Sequence, residues 1–131
     1  MAIKKSEIRP TESECNILDS VWELESATVR QVYDHLSQHQ EIGYTTVLKF
    51  MQIMIRKGLL VRDVTVRPQV YRAARPKVET QQGLLRSLVD KAYRGAPGEL
   101  VLQALSLKKS TPAELARIRA LLDDLEKRNQ K

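Results

Sequence analysis

A single cysteine, Cys15, stands in the 131-residue chain, which excludes an intrachain disulfide framework and any thiolate metal cluster. A reducing compartment is the setting expected for such a chain. No apolar run approaches the roughly 20 residues that a membrane helix needs. The opening Met1-Ala2-Ile3-Lys4-Lys5-Ser6-Glu7 has no apolar stretch behind its lysines and is not expected to be a signal peptide. The expected location is therefore cytoplasmic. Catalytic patterns are missing too. The serines lie apart in sequence from His35 and His39, no glycine-rich phosphate loop occurs, and Asp123-Asp124 reads as a solvated helix surface. An enzyme is not expected. His35 and His39 have the four-residue spacing that can place two imidazoles on one metal, but residue 36 is leucine and no third ligand is apparent. The other reading of the pair is a partly exposed helix end, and no metal or cofactor is expected. Cys15 reads as a small, partly buried filler or, alternatively, as a redox sensor.

What the chain does have is positive charge in one place. Lys and Arg number 22 against 16 Asp and Glu, for a net charge of +6. Residues 1–41 carry four basic and eight acidic side chains, whereas residues 42–75 carry seven basic residues and one acid, Asp63. The remaining 56 residues carry eleven basic and seven acidic side chains. A polyanion would meet the middle third, where almost nothing neutralises the field. A solvated basic face without a ligand has the same charge pattern.

The periodicity predicts three short helices and a hairpin over the first 75 residues. Thr11 with Glu14 forms a capping box ahead of a helix striped by Ile17, Leu18, Val21 and Trp22. Ser26-Ala27-Thr28 interrupts, with Thr28 placed to cap a second helix carrying Val32, Tyr33 and Leu36. A third helix is expected from about Thr45 to Lys57, with Val47, Met51 and Met54 inward and Gly58 as its C-cap. Leu59–Val64 and Gln69–Arg72 then read as strands around a bend at Thr65–Pro68, where Pro68 must sit at the tip or on an edge. This order is that of a winged helix-turn-helix, whose second motif helix lies in the major groove in the general geometry.

Ala73–Pro76 is the expected joint, dividing a domain 1–75 from a helical region 76–131. Leu84, Leu85, Leu88, Val89, Ala92 and Tyr93 stripe one helix, which stops at Gly95–Gly98. Leu100–Leu105 is apolar nearly all round, and Thr111-Pro112-Ala113-Glu114 opens a last helix with Leu115, Ile118, Leu122 and Leu125 in a seam. These residues are too apolar to lie in water and too few for a robust core. A homodimer is expected, paired through Leu88, Ala92, Leu100, Val101, Leu102, Leu105 and Leu122. The alternative is a tail folded back on the first domain. The fold class is thus mainly α: an N-terminal winged helix-turn-helix with a small two-stranded wing, plus a C-terminal helical dimerisation region.

Several stretches carry a resemblance. Thr11–Glu14 leading to Ile17-Leu18 and Val21-Trp22, then Tyr44–Leu48 running to Arg56–Leu60, and Val70–Arg72, resemble the BlaI/MecI/CopY group of bacterial winged-helix repressors. Lys91–Gly95 with Leu100–Leu105 resembles that family's dimerisation region, and Thr111–Leu125 its last helix, so nearly the whole chain is covered. The resemblance implies a homodimeric repressor on a palindromic double-stranded DNA operator, in some relatives relieved when a membrane sensor-protease cuts the dimerisation region. The corresponding cut here would fall near Gln103-Ala104, where relatives have an Asn-Phe pair; the other reading makes these two ordinary dimer-core residues. Copper sensing by the family's C-terminal cysteine cluster is excluded, since no cysteine follows Cys15.

Carried over residue by residue, the family's DNA contacts fall on Thr45, Thr46 and Lys49. Threonine hydroxyls and a lysine suit base edges and phosphates, and Thr45 also suits a helix cap. Arg56 follows on the same helix. Arg67 at the hairpin tip, with Arg62 and Arg72 on its flanks, suits phosphate or minor-groove contact. Arg30 and Gln31 begin the second helix, where N–H groups can hold a phosphate. The chain departs from the family at Ile53, where relatives often carry a polar residue. Phe50, Ile53 and Ile55 therefore support a wider core or an interdomain contact or, alternatively, a second function, a helical adaptor using a winged-helix fold to bind a protein.

Overall fold

The computed structural model describes residues 9–130. The chain start read above for a leader, Met1–Glu7, lies outside them. The elements run α1 (Glu12–Leu24), α2 (Val29–Ser37), α3 (Tyr44–Lys57), β1 (Leu60–Asp63), β2 (Val70–Ala73), α4 (Lys77–Ala92), α5 (Pro97–Leu107) and α6 (Pro112–Asn129). The mainly α architecture with a two-stranded wing is as expected from the hydrophobic periods.

Local chemistry sets the ends. Thr11, Thr28 and Thr111 each cap a helix through a reciprocal capping box, with Glu14, Gln31 and Glu114 as the answering side chains. Gly58 ends α3 in the left-handed region at φ 78°, and its N–H bonds back into the last turn. α3 begins one residue earlier than the sequence suggested: Gly43 is its N-cap and supplies no side chain. Thr45 is therefore not the cap.

The strands pair antiparallel, with Leu60 opposite Ala73 and Asp63 opposite Val70. One rung was not foreseen. Ala27, in the break between α1 and α2, exchanges both backbone hydrogen bonds with Tyr71, at 2.9 and 2.7 Å. A single bridging residue leaves no period to detect. The core lies between these elements: Ile17, Leu18 and Val21 from α1, Val29, Val32 and Leu36 from α2, Val47, Met51 and Met54 from α3, closed by Leu59, Leu60 and Tyr71. Full burial of each large side chain contributes about 1.5–3 kcal/mol. Trp22 and Tyr33, expected on the inner stripes, are half-buried at the margin. The Trp22 indole N–H donates to the Arg75 carbonyl at 3.1 Å, fixing the segment that leaves β2.

The chain divides into two compact units, one ending at Arg86 and one beginning at Ser87, so the boundary falls inside α4. The second unit comprises the end of α4, then α5 and α6. α4 closes through Arg94 and Gly95, both at positive φ, and the Tyr93 hydroxyl donates to the Gln103 side chain at 2.8 Å. None of its described residues is buried. Val101, Leu102, Leu105, Leu107, Leu121, Leu122 and Leu125 all face solvent in the single chain, Leu107 at 82% exposure.

Candidate nucleic-acid interface

Because Val47, Met51 and Met54 anchor α3 in the core, the opposite helix surface must project outward. Thr45, Lys49, Gln52 and Arg56 are exposed at spacings of four, three and four, with Thr46 and Ile53 alongside. At 1.5 Å per residue the stripe is about 16 Å long. Gln52 was missed in the sequence reading, although its place between Lys49 and Arg56 could have revealed it. Neither Lys49 nor Arg56 forms an ion pair among the described residues.

The start of α3 meets α2 through aromatic rings. Tyr33 and Tyr44 pack edge to face with centroids 5.8 Å apart, and the Arg30 guanidinium lies 5.5 Å from the Tyr33 ring centre. Arg30 also pairs with Asp34 at 3.3 Å on the exposed surface. Gln31 is partly committed to its own helix: its side-chain oxygen accepts from Thr28 N–H at 2.9 Å, while its backbone N–H donates to the Thr28 hydroxyl. The α2 terminus thus retains fewer free N–H groups than its position suggested.

In the wing, register separates the arginines. Arg62 pairs with Tyr71, whereas Arg72 pairs with Val61. Pleat alternation therefore puts Arg62 on the face of buried Tyr71 and Arg72 on the opposite face. Arg67 lies between the strands, exposed. The wing's one acid is engaged locally. Thr65 donates to Asp63 from its hydroxyl and from its backbone N–H, and these two bonds hold the carboxyl below its ordinary pKa.

Behind α3, Glu14 is 2% exposed and accepts from Lys57 at 2.6 Å and from the Thr11 N–H at 2.8 Å. Burial pushes its carboxyl up. The Lys57 hydrogen bond, the Thr11 bonds and the Lys57 charge together outweigh that push and leave it below the ordinary value. Lys57 is thereby spent inside the protein, unlike Lys49.

One expectation is corrected. Serine and histidine do meet: Ser20 Oγ lies 2.8 Å from His35 Nδ1, and His35 Nε2 lies 3.0 Å from Glu23. The α1–α2 turn brings together residues fifteen apart. Ser20 is only 1% exposed, so the chain of bonds staples two helices and offers no nucleophile to a substrate. Both imidazole nitrogens of His35 are occupied. Cys15 is half-buried, and burial, followed by the neighbouring Asp19 and Glu14 charges, pushes its thiol up.

The three-helix core, the exposed α3 stripe and the wing define a winged helix-turn-helix protein. The penicillinase repressor family model matches residues 10–124, and the chain belongs to that family. Similar curated proteins include the transcriptional regulator BlaI of Mycobacterium tuberculosis, strains CDC 1551 / Oshkosh and ATCC 25618 / H37Rv. Each is 31% identical over 70 residues, covering 53% of this chain and 51% of the relative. The match spans about half the length of these curated relatives.

Proposed function

We propose that the protein is a dimeric transcriptional repressor that holds a palindromic double-stranded DNA operator. α3 enters the major groove, presenting Thr45, Thr46, Lys49 and Arg56 to base edges and phosphates, and Arg67 and Arg72 of the wing meet the backbone. Arg30 and Gln31 flank a phosphate at the start of α2. The observation that carries this reading is the α3 stripe, polar along one face, with cations that no acid among the described residues neutralises. Family membership points the same way. No helix among the described residues is long and apolar enough to cross a membrane, in keeping with work in the cytoplasm beside DNA.

Dimerisation through Leu88, Ala92, Leu100, Val101, Leu102, Leu105 and Leu122 is supported by the second unit's lack of any buried described residue. Apolar side chains that find no cover in one copy find it in a second. Two copies would place their α3 helices on half-sites about 34–36 Å apart, or a multiple of that distance. The domain division at 75/76 is retained as the boundary of the DNA-reading part. Footprinting and titration against upstream DNA test the whole reading. If the dimer neutralises about 6–10 phosphates, affinity falls about 10³–10⁵-fold between 50 and 200 mM salt. Binding that is weak and flat with salt refutes it.

Relief by a membrane sensor-protease enters this reading only with a local opening of α5. Gln103 and Ala104 are exposed but lie inside that helix, and proteolysis concentrates at loop tips. Incubation with a neighbouring sensor-protease should yield a fragment starting at Ala104; an intact chain removes this part of the reading. The adaptor alternative has lost ground, because Phe50 and Ile55 pack partly buried against the core and leave Ile53 the exposed member of the three. One isoleucine is far less than a stable protein interface requires.

A further inference from the structure

We propose that Ile53 reads the C5-methyl group of a thymine in each half of the bound duplex, an inference that rests on the DNA-binding reading above. The core uses the other large aliphatic and aromatic side chains of α3 between Val47 and Ile55. Val47, Met51 and Met54 are fully buried, and Leu48, Phe50 and Ile55 are half-buried against the same cluster. Ile53 differs, at 38% exposure. A lone exposed isoleucine is ordinary on a protein surface. This one stands within a polar stripe, one turn after Lys49, one turn before Arg56, and beside Gln52.

That placement selects the chemistry. Along the helix axis Lys49 precedes Ile53 by about 6 Å and Arg56 follows it by about 4.5 Å. With α3 in the major groove, the two cations take phosphates or guanine edges, and the side chain between them faces base edges. Most groups displayed there are hydrogen-bond donors and acceptors, and the thymine methyl is the prominent apolar one. A polar edge opposite Ile53 loses water and gains no hydrogen bond, so the same contact rejects it. Ile53 thus acts as a specificity-determining residue, and its effect does not depend on charge.

The test uses the duplex that the protein selects from a random pool. Each thymine is replaced singly by deoxyuridine, which removes the methyl and keeps every hydrogen-bonding group. Wild type should lose about four-fold affinity at one position per half-site, the weight of one buried methyl. Ile53→Ala should bind that uridine duplex and its thymine parent equally, while any response at thymines facing Thr45 or Thr46 persists. Alanine favours the helix, so the variant keeps its fold, and a melting curve verifies this. Identical uridine profiles for the two proteins overturn the proposal, as does a selected site without a methyl-sensitive thymine. A chain that binds no duplex at all defeats the DNA-binding reading itself, visible before any base is changed.

Discussion

Glu14 ties the first turn of α1 to the last residue of α3, since one carboxylate completes a capping box and also receives Lys57. Its folded-state pKa lies below the ordinary glutamate value near 4.5. The stabilisation is therefore complete above that value and is lost as pH falls through the lower folded-state one. Glu14→Gln should cost about 1–3 kcal/mol at neutral pH. The gap between variant and wild type should close as acidification carries the pH through the lowered folded-state value, as read from denaturant melts across pH. The capping half of this role was legible in Thr11-x-x-Glu14, but the Lys57 half was not, because 43 residues separate the partners. On the DNA side, Lys49→Ala should relax base preference whereas Arg67→Ala should weaken all duplexes about equally. Competition with unrelated DNA separates these outcomes, and matching profiles would refute the division.

The three helices of the first unit were readable because each buries a stripe against one core, and their ends carry capping codes at Thr11, Thr28 and Gly58. Gly58 shows how strongly such a code acts. At φ 78° with open space around its Cα, an added side chain meets no neighbour, so its cost is purely conformational. Gly58→Ala should lower stability by about 1–2 kcal/mol in thermal melts, and no loss would mean that the turn relaxes. Three features escaped the sequence for physical reasons. The Ala27–Tyr71 rung is a single residue, the Tyr33–Tyr44 contact joins two helices, and the split of Arg62 from Arg72 depends on strand register. Gln52 is a different case, since its spacing lay in plain view on the α3 face and only its lack of charge hid it.

The two units of the chain differ in kind. One surrounds a cluster closed by Tyr71; the other, from Ser87 onward, is helical with no described residue buried, and its last helix opens on the Thr111 capping box. On the dimer reading, the thermal midpoint should rise with protein concentration, and sedimentation should give twice the chain mass. Leu102→Glu, at a site 65% exposed in one copy, should shift the equilibrium to single chains and abolish tight operator binding while leaving the first unit folded. A midpoint that ignores concentration would exclude pairing at these leucines. Association of two like chains scales with the square of their abundance when they are scarce. On the dimer reading, a cell that halves its supply of this protein would keep only about a quarter of the doubled form, and gene dosage would become a control knob steeper than the number of copies made.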